Sequence, residues 1–169
     1  MKRRRRRSST PDKLFRRVLV AVDASKSSRQ AAKAATQIAQ NNKAELIVAS
    51  VVQPPTYAYP GDPIVAVPPA GLAGPMLPVP LFNREASKSA EKLVERAIPR
   101  SKATKLKVRR KVLKSEASIA KAITQYAKNQ QADLIVVGTS SVGGLKRFVL
   151  GSVSSGVVNN ATTSVLVVR

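Results

Sequence analysis

Three short apolar runs decide what this chain can fold into: Val18–Val22 (VLVAV), Leu46–Val52 (LIVASVV) and Leu134–Val137 (LIVV). A strand with one wet face alternates apolar and polar residues. These runs do not alternate, so both of their faces are expected to be buried, as in the interior of a parallel sheet covered by helices. Between the first two runs, Lys26–Gln40 is rich in alanine, with Ala31, Ala35 and Ile38 on one helical stripe and Ser25 placed to cap the first turn. Strand, helix and strand within about 35 residues make a right-handed βαβ unit.

The pattern repeats further along. Ala90, Leu93, Val94, Ala97 and Ile98 recur at helical spacing within 85–98, and Pro99 helps to end that helix. Lys105–Leu113 (KLKVRRKVL) alternates: Leu106, Val108 and Val112 face one side, and Lys105, Lys107, Arg109 and Lys111 the other. This predicts a half-exposed strand whose lysines suit a sheet edge. A helix follows over 118–129, with Ile119, Ala122, Ile123, Tyr126 and Ala127 inward. After the LIVV strand and a loop, a short helix starts near Ser152, and Thr163–Val168 forms a last strand. The predicted fold class is α/β: a three-layer sandwich around a five-stranded, doubly wound parallel sheet.

Composition narrows the chemistry. The chain has no cysteine and no histidine, which excludes disulfides, thiolate nucleophiles, Ser-His-Asp triads and histidine-bound metals. Lys and Arg number 30 against 9 Asp and Glu, a formal charge of +21. The excess is uneven: +8 over residues 1–17 and +9 over 84–114. Residues 1–14, with the run Arg3, Arg4, Arg5, Arg6 and Arg7, read as a disordered basic arm. The arm suits non-specific contact with nucleic acid or an anionic surface, or serves as a solubility tail. It lacks aromatic residues for base stacking. No apolar h-region follows the arginines and no run reaches 18 residues, so neither export nor a membrane span is expected, and a cytoplasmic location is the default. Residues 15–169 form the domain, interrupted by an insert over 53–83 that holds nine of the eleven prolines and one charge, Asp62.

In open α/β sheets, ligands bind at the carboxyl ends of strands where the strand order reverses. Asp23, Val51 and Gly138 follow or end three such strands. The segment from Gly138 to Val153 is rich in glycine and hydroxyls, and Gly151-Ser152 opens a helix whose free amides and dipole attract phosphate. Lys146 and Arg147 lie in the same loop.

VLVAVDAS (18–25), ADLIVVGTSS (132–141) and LGSVSSGVVNNATTSVLVVR (150–169) together resemble the universal stress protein family. The resemblance covers about residues 15–52 and 84–169. It implies strand order 3-2-1-4-5, a homodimer and a role in stress response or signalling. One branch of the family binds ATP through a G-x2-G-x9-G-S/T motif. Another lacks the motif and binds no nucleotide, which leaves a nucleotide-free stress protein acting by protein interaction as the alternative. Gly138, Gly151 and Ser152 match the motif, and Ser141 stands at the second glycine. By this resemblance, Asp23 and Val51 hold adenosine, Ala21 and Val137 line it, and Gly138 approaches the ribose. Ser141, Gly151, Ser152 and Val153 meet the phosphates of ATP or a related adenine nucleotide, with a bridging Mg or Mn ion. If φ is positive at Ser141, serine costs about 1–2 kcal/mol there; at an ordinary φ it adds a donor. Efficient catalysis is not expected, and slow ATP hydrolysis is the most these residues suggest.

Plainer roles stand beside these. Asp23 suits a helix cap, Asp133 suits a turn, and the Lys105–Lys111 face suits solvent. The last strand, 163–169, carries no charge until Arg169 and is expected at the other sheet edge, where pairing with a second copy would bury it.

Overall fold

The computed structural model describes residues 14–53, 84–98, 106–139 and 150–169. Apart from Leu14 and Gln53, the expected arm (1–14) and insert (53–83) lie outside these residues. The described elements are β1 (Arg17–Ala21), α1 (Lys26–Asn42), β2 (Glu45–Val52), α2 (Arg84–Ala97), β3 (Val108–Lys114), α3 (Ile119–Asn129), β4 (Leu134–Gly138), α4 (Ser152–Asn160) and β5 (Ser164–Val168). The five strands are parallel in the order β3-β2-β1-β4-β5. The expected fold class is borne out.

The continuous apolar runs do cover both faces. Val18, Val20, Leu46, Val48 and Val136 pack on one face under Ala31, Ala35 and Ala39 of α1 and Val94 of α2. Leu19, Ile47, Ile135 and Val137 pack on the other under Ala120, Ile123 and Ala127 of α3 and Val157 of α4. Alanine dominates the inner face of α1 and lets the helix lie close over β1 and β4. The inner face of α3 differs from expectation at one position. Ala120 is buried and Ala122 only half-buried, because Gly156 brings α4 against Ala120. A Cβ on Gly156 would fall 2.7 Å from the Ala120 Cβ.

Serine caps set the starts of two helices. Ser25 Oγ accepts from the Ser28 amide at 3.1 Å, and Ser118 Oγ accepts from the Lys121 amide at 3.3 Å. Lys43, at φ 51°, closes α1 in the left-handed conformation.

Two carboxylates join segments at the amino ends of the strands. Asp133 Oδ2 accepts from the amides of Arg16 (2.7 Å) and Arg17 (2.8 Å), fixing the entry to β1 against the start of β4. The Glu45 carboxylate, only 11% exposed, is ringed by Arg17 Nε at 3.2 Å, Lys107 Nζ at 3.4 Å and Arg109 Nε at 2.7 Å. The Arg109 contact is an ion pair whose alignment misses a hydrogen bond, since Oε1 has no hydrogen-bond partner among the described residues. Burial disfavours the Glu45 charge, but the charges of Arg109 and then Lys107 outweigh it, and Arg17 adds a hydrogen bond to Oε2. The carboxyl is thereby held below its ordinary value. No helix among the described residues is long and apolar enough to cross a membrane.

Candidate functional site

The chain leaves β1 toward α1 on one face of the sheet and, beyond β4, continues into α4 on the other. β1 and β4 are neighbours, so their carboxyl ends flank a crevice. A cavity of about 190 Å³ lies there. Ala21, Val51, Val137 and Gly138 form its strand-tip floor, Ile119 and Ile123 of α3 one wall, and Ser152 and Val153 of α4 another. Asp23, Ser25 and Ser28 border it at the entry to α1.

Of the nine residues expected at a ligand site, seven line this one cavity: Ala21, Asp23, Val51, Val137, Gly138, Ser152 and Val153. Gly151 stands just behind them as the N-cap of α4. Its φ of −62° is open to any residue, so the backbone angle is not what asks for glycine there. Ser141 lies outside the described residues, as do Gly143, Gly144, Lys146, Arg147 and Arg3–Arg7. Val22, Ser28, Ala49, Ser50, Ile119 and Ile123 also line the cavity and were not anticipated. Ile119, directly after the Ser118 cap, carried the one local signal: an apolar residue in the first turn of a helix that faces the strand tips.

Asp23 is held by a local network. Its Oδ1 accepts from the Ser25 amide at 2.9 Å, and its own amide donates to the buried Ser28 hydroxyl at 2.8 Å. Its side chain therefore shapes the turn ahead of α1 and does not cap the helix, the role the plainer reading gave it; Ser25 is the cap. The second Asp23 oxygen, Oδ2, has no hydrogen-bond partner among the described residues and remains available at the cavity rim.

Gly138 has a packing reason to be glycine. A Cβ there would fall 2.6 Å from the carbonyl carbon of Ser27 and 2.7 Å from the Ser28 nitrogen, both backbone atoms of α1. The tip of β4 thus runs directly beneath the first turn of α1.

α4 differs from α1 and α3 in lacking a side-chain cap. Its first turn carries no acidic residue, and Ser154 turns inward to donate to the Gly151 carbonyl at 2.9 Å. The first amides of α4 thus have no capping side chain, and Ser152 and Val153 at this positive dipole end line the cavity. The apolar floor with an uncapped helix end suits a flat ring carrying an anionic group. Asp23 is the one carboxylate lining the cavity among the described residues, and no cluster of three metal-binding side chains occurs among them. The donor set does not fit a protein-built cage for Mg or Mn. A divalent cation would have to be held chiefly by a ligand's own phosphates.

Comparison with known proteins places these features in context. A family model described as the universal stress protein family matches residues 14–169. A universal stress protein of Methanocaldococcus jannaschii is 32% identical over 161 residues, covering 94% of this chain and 84% of that protein. Among solved structures, the universal stress protein of Archaeoglobus fulgidus in complex with dAMP is similar with a TM-score of 0.65 at 15% identity, over 92% of this chain and 99% of that one. A universal stress protein in complex with cAMP gives a TM-score of 0.60 at 24% identity, over 92% and 98%.

Proposed function

Since the chain belongs to the universal stress protein family, we propose that its cavity binds an adenine nucleotide, ATP or a close relative, and that binding serves stress response or signalling. The observation that carries this is the convergence of β1, β2, β4 and the uncapped start of α4 on one crevice. That similar folds have been solved with dAMP and cAMP supports the same ligand class.

In this reading Ala21, Val51 and Val137 hold the adenosine by apolar contact. Asp23 Oδ2 accepts a hydrogen bond from it, and Gly138 approaches the ribose. The amides of Ser152 and Val153, together with Gly151 and Ser141, receive the phosphates, whose charge the α4 dipole stabilises. A cation such as Mg or Mn would neutralise phosphate charge when ATP binds. With no histidine in the chain and one carboxylate in the described lining, these residues favour holding the nucleotide over turning it over. The protein acts in the cytoplasm as a homodimer through β5, whose open edge and half-exposed Val165–Val168 suit pairing with a second copy. The basic arm adds non-specific contact with nucleic acid or an anionic surface.

Calorimetry on purified, nucleotide-stripped protein tests the central reading, with ATP, AMP and cAMP and with or without magnesium. Saturable heat and a raised melting temperature are expected. The absence of both at millimolar nucleotide would overturn it. The Ser27 backbone demands glycine at 138 whatever fills the cavity, so Gly138 does not by itself distinguish this reading from a nucleotide-free interaction module.

A further inference from the structure

β3 is an edge strand with one bare face. α2 covers the face that carries Val108 and Val112, whereas on the other side α3 packs chiefly against β2 and meets β3 at its C-cap, where Gln130 Oε1 accepts from Arg109 Nη1 at 2.9 Å. The bare face presents Lys107, Arg109 and Lys111 in a row. Alternate residues on a strand stand about 6.6 Å apart, so three cations line up over about 13 Å. They share this side with Arg17 on β1, and Glu45 is the single carboxylate among them. Four positive charges against one negative leave a net +3. Lys107 is 77% exposed and Arg109 42% exposed. Lys111 is exposed and has no ion pair among the described residues. Glu45 pairs with Lys107 and Arg109, which leaves Lys111 as the cation of the row without a counter-charge among the described residues.

We propose that this bare face of β3 docks the phosphate backbone of double-stranded nucleic acid, independently of the nucleotide cavity. A polyanion of fixed, repeating charge matches a fixed row of cations. Among the described residues the aromatics, Phe15 and Tyr126, are both half-buried, so no ring is free to stack on an unpaired base. Contact is therefore with phosphates, without sequence preference, and strengthened by the chain's overall charge of +21.

The test uses the full chain and a mixed-sequence DNA duplex, followed by fluorescence anisotropy across a salt series. Lys107→Gln with Lys111→Gln removes two exposed charges and leaves the Arg17 and Arg109 contacts to Glu45 in place. The expected result is a salt slope shallower by about 1.8, at 0.9 per charge, and binding weaker by more than about tenfold at 0.1 M salt. Lys88→Gln with Lys92→Gln, on exposed positions of α2, is the charge-matched control and should change the slope far less. Circular dichroism confirms that each variant is folded, and Lys111→Glu alone provides a second reading should the double variant fold poorly. Three outcomes overturn the proposal. One is an unchanged slope in the β3 variants, which would assign the lysines to protecting the sheet edge. Another is an equal loss in the α2 control. The third is displacement by polyglutamate at lower charge concentration than by duplex, which would point to an acidic protein instead.

Discussion

The amide of Asp23 donates to the buried hydroxyl of Ser28 at 2.8 Å, tying the tip of β1 to the first turn of α1. Ser28 in turn donates its own amide to Ser25 Oγ. Truncating Ser28 to alanine leaves the Asp23 amide without its acceptor, at a cost of about 1–3 kcal/mol. For a domain of this size that corresponds to a melting temperature lower by about 2–4 °C per kcal/mol, measurable by thermal unfolding. Nucleotide affinity should fall with it, because the turn that presents Asp23 loosens.

Asp23→Asn separates shape from charge. Asparagine keeps an oxygen for the Ser25 amide, so stability should change little. Under the nucleotide-binding reading the charged acceptor at the rim is lost. A hydrogen bond to a charged group contributes about 1.5–3 kcal/mol, so affinity should drop by about 10–100-fold in calorimetry. Equal affinity in the variant would remove Asp23 from the ligand's contacts.

Gly138→Ala should be severe for a reason unrelated to any ligand. The new methyl would press on the Ser27 and Ser28 backbone at 2.6–2.7 Å, and backbone cannot rotate away as a flexible side chain can. Overpacking of this kind costs about 1–3 kcal/mol or more. Denaturant unfolding should show a lower midpoint. A variant as stable as the parent would mean that α1 shifts freely over β4.

Acid should loosen the amino ends of the strands through Glu45. Its carboxyl titrates below the ordinary value in the folded chain, so the folded state binds its proton less readily than the unfolded state does. The stability it contributes is fully present above the ordinary glutamate value, near pH 4.3, and is lost as pH falls from there through the lowered folded value. Glu45→Gln should flatten that part of the stability profile and lower stability at neutral pH, as read by urea unfolding at a series of pH values. A profile as steep as the parent's would assign the acid response to other carboxylates.

How much was legible in the sequence depended on how local the determinant was. β1, β2 and β4 were readable because burial on both faces leaves an uninterrupted apolar run, and β3 because a half-covered edge strand alternates. The start of α1 was readable at Ser25, where a hydroxyl precedes the apolar stripe. Strand order was not in the periodicity and came through family resemblance. Ala120 was missed because its burial depends on Gly156, far along the chain. The ring of cations on Glu45 draws on β1, β2 and the β3 region, and no short window contains it. Ala21, Val51, Val137 and Gly138 lie together at the cavity floor, yet the reason for Gly138 was found only where α1 crosses β4.

The missing side-chain cap on α4 has a kinetic side. A first turn that nothing closes frays more often than one locked by serine, so the Gly151–Ser154 amides should exchange hydrogen faster than those at the starts of α1 and α3. An anion seated against that turn would slow the exchange. Because α4 packs on α3 and leads directly into β5, the slowing would spread toward the sheet edge, making the segment 152–169 a timer of occupancy.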